Sequence, residues 1–159
     1  MPLVGSFIDD ILNDREPGAP IVVWAHHHEI IDGIANHVKS INSDLTVNTL
    51  DGRIKPDERS KIVRDFQNGK IDVLVAGVTA AGVGITLTRA TVAIVAELDW
   101  TPATMVQAED RLHRIGQDEP VTIYYCVSPN SIDGRIAGML KNKQDVIDTF
   151  TEDLISEVN

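Results

Sequence analysis

Five short apolar runs constrain this chain more than any other feature: IVVWA at 21–25, LTVNTL at 45–50, DVLVAG at 72–77, TVAIVAEL at 91–98 and VTIYYCV at 121–127. Each is rich in β-branched residues and reads as a strand. A run such as VAIVA is apolar at nearly every position rather than at alternate ones, so both faces of its sheet must be covered. The segments between the runs have helical spacing. Ile30, Ile31, Ile34 and Val38 share one face of 29–41, and Ile62, Val63 and Phe66 share one face of 57–66. Pro56 and Pro102 stand in first helical turns, and Gly69 follows a helix end at Asn68. Further helices are expected over 6–13, before the turn-forming EPGAP, and over 132–150. Strand followed by helix, repeated, predicts an α/β sandwich with a mostly parallel sheet. Sites in such folds gather at the carboxyl ends of the strands.

The 159 residues fit one domain, expected over 1–150, with an acidic tail at 151–159. Residues 144–159 carry five acidic and no basic side chains. Fourteen Lys and Arg against 24 Asp and Glu give a net charge of −10, which repels nucleic acid over the chain as a whole. Any DNA contact must therefore be local. Cys126 is the only cysteine and cannot form an internal disulfide; it reads as a buried core thiol. The first ten residues, MPLVGSFIDD, lack the charge and apolar core of a leader, and the apolar runs fall far short of a membrane span. The expectation is an intracellular protein, cytoplasmic or nuclear, with no membrane partner.

Polar residues concentrate in a few places. QAEDRLHRIGQ at 107–117 would put Gln107, Asp110, Arg111 and Arg114 on one face of a helix starting near Pro102. Two guanidinium groups presented together suit phosphoryl oxygens. The plainer reading is a helix tied down by Glu109 and Asp110 ion pairs. GVTAAGVGITL at 77–87 follows a strand and permits close approach of backbone amides to a phosphate, or makes a tight strand-to-helix turn. No Walker lysine follows Gly82, and Leu87 breaks a dinucleotide fingerprint. Glu97 and Asp99 end an apolar run in the manner of a Walker B strand, but local capping or an ion pair is the better reading. His26, His27 and His28 end the first strand; adjacent residues there alternate faces, so polar strand-end contacts are favoured over a metal site. Residues 52–70 hold six basic side chains (Arg53, Lys55, Arg59, Lys61, Arg64 and Lys70) against three acidic ones, which is either a solvated helix face or a nucleic-acid backbone contact.

In chain order, VVWAHHHEIIDGI, NTLDGRIKPDERSKIVRDFQ, VLVAGVTAAGVGITLTRATVAIVAELDWTP and MVQAEDRLHRIGQ resemble the second RecA-like lobe of superfamily-two helicase-like ATPases. Within that group they are most similar to the Snf-type DNA translocases. The LDG segment, TAAGVGITL and QAEDRLHRIGQ look closest to the HepA-related, annealing-helicase branch. The resemblance implies a RecA-like three-layer sandwich. It implies that Arg111 and Arg114 are the motif VI arginines approaching a nucleotide, with Arg114 as arginine finger and Gln107 ordering the ATP-side face. Motif V would place Thr79, Ala80, Ala81 and Gly82 at the DNA backbone, with Gly82 and Gly84 in the loop that couples DNA to nucleotide. His26 and His27 at motif IV, and Arg53, Lys55 and Arg59 in the LDG segment, would complete the DNA contacts.

The family's usual Ser-Thr-Arg start of motif V is Gly77-Val78-Thr79 here, so an arginine contact to DNA is missing; the Asn common in the annealing branch is Gly82. Neither a GKT loop nor a DEAH-type motif occurs in the 159 residues. The implied cofactor, ATP with magnesium, would be held mainly by a first RecA-like lobe outside this chain, and no metal site is expected within it. The reading is therefore a second motor lobe, inactive alone, acting on double-stranded or forked DNA with its first lobe as partner. The alternative is a noncatalytic interaction domain that retains the lobe's fold.

Overall fold

A computed structural model describes residues 2–82, 84–97 and 102–126, all within the unit Met1–Cys126. In order these form α1 (Pro2–Asp14), β1 (Ile21–Ala25), α2 (His28–Ile41), β2 (Val47–Leu50), α3 (Pro56–Gln67), β3 (Val73–Gly77), a 3-10 turn (Val78–Gly82), β4 (Val92–Val95), α4 (Pro102–Glu109) and β5 (Thr122–Tyr125). The five strands make one sheet in the order β2-β3-β1-β4-β5, every pair parallel. The expected helix 132–150 and tail 151–159 lie outside the described residues.

Ile21, Val23 and Ala25 on β1 join Val73, Val75 and Ile94 in one core layer, which Ile8 of α1 and Ile31, Ile34, Ala35 and Val38 of α2 close. The alternate residues Val22, Trp24, Leu74, Ala76, Ala93 and Val95 are just as deeply buried and face the other way. The crossover β1-α2-β2 runs outward across the sheet and β2-α3-β3 runs back. With right-handed crossovers α2 and α3 therefore lie on opposite faces, where Ile62 and Phe66 of α3 are buried. This is the three-layer arrangement that the continuous apolar runs require. At about 25 cal/mol per Å² of apolar area, these two layers supply most of the driving force for folding.

Some boundaries differ from the sequence reading. Helix α1 starts earlier than residue 6, and β2 starts later than residue 45 because the Thr46 amide donates to the Asp72 carboxylate at 2.9 Å. Cys126, expected in the core, is half-buried beyond the end of edge strand β5; what burial it has pushes its thiol pKa up. Beside it, the Tyr125 hydroxyl donates to the Glu109 carboxylate, tying β5 to α4.

Candidate functional site

Because every strand runs the same way, the register Ala25 to Gly77, Leu50 to Ala76 and Trp24 to Val95 brings the segments that follow β1, β2, β3 and β4 to one edge of the sheet. The histidines, the LDG segment and the glycine-rich loop are thereby neighbours, although the histidines precede the loop by about 50 residues.

At the end of β1, the N-cap of α2 is His27, whose side chain does not cap the helix. Glu97, just beyond β4, does so instead. Its Oε2 accepts from the His26 and His27 amides at 3.0 and 2.9 Å, and its Oε1 lies 3.2 Å from His27 Nδ1. A carboxylate at a helix N-terminus satisfies orphan amides and complements the helix dipole. The Walker B-like glutamate is thus a cap, but a tertiary one, about 70 residues from the helix it caps. Those two amides are closed to an incoming phosphate, and one ring nitrogen of His27 is engaged by the same carboxylate. Among the described residues no group of three or more His, Cys, Asp or Glu side chains is placed to hold a metal ion.

At the end of β2 stands Asp51, the buried polar residue among those described. It accepts the Arg53 amide at 2.8 Å, Arg53 Nε at 3.0 Å and Arg53 Nη2 at 2.6 Å. Asp32 on α2 takes Nη1 and Nη2 of the same guanidinium at 2.8 and 2.7 Å. These hydrogen bonds from Arg53 hold the Asp51 and Asp32 carboxyls below the usual value, against the opposing effect of burial, and raise the arginine's own pKa. Arg53, expected to contact DNA, therefore has all three side-chain nitrogens committed to carboxylates within the lobe. The Asp51 carbonyl accepts from Arg59 Nη2 at 3.1 Å, so half-buried Arg59 is also turned inward. Lys55, the N-cap of α3, is exposed and forms no ion pair among the described residues. Gly77 borders the same cluster: a Cβ there would lie 3.3 Å from Asp51 Cβ, so glycine lets β3 approach the end of β2.

The glycine-rich loop leaves β3 as the 3-10 turn Val78–Gly82, which contains Thr79, Ala80, Ala81 and Gly82. Thr79 is exposed and Ala80 buried. Gly84 has φ +61° with open space where a Cβ would be, so the backbone conformation and not crowding calls for glycine there.

The arginine segment departs from its expected form. Helix α4 ends at Glu109, so Gln107 lies on the helix while Arg111 and Arg114 lie in the turns after it; the four residues do not share one helical face. The physical reason is competition for the backbone. The Arg111 carbonyl accepts the Leu87 amide at 2.9 Å, buried Leu112 draws the chain inward, and Gly116 turns it at φ +100°. Gln107 is exposed, Arg111 half-buried and Arg114 exposed. Arg114 Nη1 donates to Thr86 Oγ1 at 3.0 Å, and Gln117 Nε2 donates to the carbonyls of Thr88 and Ala90 at 2.8 and 3.0 Å. Gln117, Thr86, Asp51 and Asp32 were not singled out by sequence; all four sit inside the quoted motifs, which was their one available signal.

A parallel sheet between two helical layers, with its loops along the carboxyl edge and an arginine segment bonded to a glycine-rich one, defines a RecA-like lobe. The fold agrees with the crystal structure of the C-terminal part of the Fun30 ATPase domain (TM-score 0.72, 25% identity, 87% of this chain and 43% of that one). Residues 4–116 match the helicase conserved C-terminal domain, and the chain belongs to that family as the C-terminal lobe of a Snf-type, superfamily-two protein. It is 39% identical over 127 residues to the SWI/SNF-related matrix-associated actin-dependent regulator of chromatin subfamily A-like protein 1 of Drosophila melanogaster, covering 79% of this chain and 17% of that protein. It is 36% identical over 126 residues to the DNA annealing helicase and endonuclease ZRANB3 of Bos taurus, covering 79% of this chain and 12% of that protein. The chain thus spans less than a fifth of the length of these relatives.

Proposed function

We propose that this chain is the second motor lobe of a DNA-dependent ATPase that translocates on, or anneals, double-stranded or forked DNA inside the cell, in association with chromatin or repair. The observation that carries the reading is the juxtaposition of Arg111 and Arg114 with Thr86 and Leu87, where the glycine-rich segment runs on toward β4. Arg114 is exposed, and its guanidinium is bonded to a neutral hydroxyl, with no carboxylate paired to it among the described residues, which leaves its charge uncompensated there. A guanidinium in that condition fits phosphate oxygens. Arg114 would stabilise charge on the terminal phosphoryl group as an arginine finger, with Arg111 beside it and Gln107 ordering the α4 surface that faces the nucleotide. The nucleotide, with its magnesium, supplies the transferable phosphoryl group and is held mainly by a first RecA-like lobe, since the 159 residues contain no Walker lysine. Gly82 and Gly84 shape the loop that touches both ligands.

On the DNA side, the exposed side chain of Thr79 and the loop backbone at Ala80, Ala81 and Gly82 meet the phosphates of one strand, with His26, His27 and Lys55 flanking them. Arg53 and Arg59 support this surface from beneath. Intact, uncompensated Arg114 favours the motor reading over a noncatalytic interaction domain. The test is DNA-stimulated ATP turnover by this chain alone and by the same chain joined to a first lobe with Walker motifs. Turnover only in the joined protein supports the reading. A folded, joined protein without turnover moves it to the interaction domain.

A further inference from the structure

The segment 86–90 lies between the glycine-rich loop and the arginine turns and is bonded on both sides. On one side, Gln67 of α3 donates through Nε2 to Thr88 Oγ1 at 3.0 Å and accepts the Arg89 amide at 3.2 Å. On the other, the Leu87 amide donates to the Arg111 carbonyl, and Gln117 Nε2 donates to the Thr88 and Ala90 carbonyls. The side chains of Leu87 and Ala90 are fully buried, and Arg89 Nη2 reaches the Gly18 carbonyl at 2.9 Å. Bonds and burial fix residues 87–90 to the body of the lobe and hold Thr86 next to them, five consecutive residues that start two positions after Gly84. The first of them carries the hydroxyl that Arg114 Nη1 reaches at 3.0 Å, and among the described residues this is the guanidinium's one hydrogen bond. Gln117 fixes the other end of the arginine turn, its amide donating to the Arg114 carbonyl at 2.9 Å.

We infer that Thr86 is a positioning residue for Arg114, and that the strap 86–90 is the mechanical link through which the DNA-side loop sets where that guanidinium stands. The inference rests on the motor reading above. An exposed arginine with several free torsions spends little of its time in any one place. A single acceptor on a rigid strap narrows that distribution, and a neutral acceptor does so without cancelling the charge that a phosphate would meet. A displacement of the glycine-rich loop moves the strap's first residue before any other part of it, and with it the acceptor.

The test uses the two-lobed protein and three variants: Thr86→Val, which keeps the shape and removes the acceptor; Thr86→Ser, which keeps the acceptor; and Arg114→Ala. The expected result is DNA-stimulated kcat lowered about three- to tenfold in Thr86→Val, the scale of one ordinary intramolecular hydrogen bond. DNA affinity and the thermal midpoint stay unchanged, and kcat recovers in Thr86→Ser. Wild-type kcat in Thr86→Val, with Arg114→Ala impaired, would overturn the inference and leave the motor reading standing. A loss in Thr86→Val that Thr86→Ser does not recover, or that follows a lowered midpoint, would overturn it too by showing a packing role. If Arg114→Ala itself turns over normally, the arginine-finger role of Arg114 falls and the inference falls with it, while the motor reading fails only if the folded two-lobed protein does not turn over at all.

Discussion

Two arginines of the lobe have opposite surroundings. Arg53 is gripped by Asp51 and Asp32 through five side-chain hydrogen bonds, while among the described residues Arg114 has one bond, to the hydroxyl of Thr86. A guanidinium between two carboxylates is overcompensated and holds loops together. One on a hydroxyl keeps its charge for something else. The residue type is the same for both, so the distinction between a structural and a functional arginine lies in what faces it.

The sharpest way to break this contrast is to remove each arginine in the two-lobed protein. Arg114→Ala is expected to lower DNA-stimulated ATP turnover by ~10³-fold, as loss of other arginine fingers does, while the denaturant midpoint stays put. Arg53→Ala should do the reverse, lowering the midpoint in urea and leaving turnover at native conditions within a few-fold. Turnover assays paired with equilibrium unfolding measure both. If Arg53→Ala proved as damaging to turnover as Arg114→Ala without unfolding the lobe, the separation drawn here would be wrong.

The carboxylate side comes next in size. Asp51 is 2% exposed and takes three donors from Arg53, so Asp51→Asn is expected to cost about 2 kcal/mol, between a single charge-assisted hydrogen bond and a fully broken buried pair. The same residue gives the acid dependence its sign. Its folded pKa lies below the ordinary 3.8, so in the window between those values the unfolded chain binds more protons and stability rises with pH. Its contribution is complete above about pH 5 and is lost as pH falls through the folded value. Urea midpoints between pH 7 and pH 3 should therefore fall less steeply in Asp51→Asn than in the wild type; parallel curves would remove Asp51 from the acid response.

How much of this was legible in the sequence follows from the range of each interaction. The parallel sheet was readable because its cause is local: VAIVA and VLVA are apolar at successive positions, and no neighbour elsewhere is needed to see that both faces are covered. The site's segments were found as strings for the same reason. What the string could not give is the partner. Arg53 looked like a phosphate contact because Asp32, which takes half its donors, is 21 residues away on α2 and reaches it only once β1 and β2 are in one sheet. The helical spacing through Gln107, Asp110, Arg111 and Arg114 is real in the sequence. A backbone amide from Leu87, 24 residues upstream, takes the Arg111 carbonyl and diverts the chain. Glu97 was readable as a cap, but that it caps α2, about 70 residues earlier, was not.

The smallest expected effect separates the two kinds of cation most cleanly, because it counts charges and not energies. Lys55 is exposed at the N-cap of α3 without an ion pair among the described residues, so a phosphate that meets it releases a counterion. Lys55→Ala in the two-lobed protein should reduce the slope of log Kd against log salt by about 0.9, equivalent to a change in affinity ratio of about 3.5-fold between 50 and 200 mM salt. Arg53→Gln should leave that slope unchanged, since the Arg53 charge is neutralised by Asp32 and Asp51 before DNA arrives. Duplex binding measured over that salt range at neutral pH reads both. Equal slope losses would mean that the carboxylates release Arg53 when DNA binds, and that the clamp is a resting state instead of a fixture.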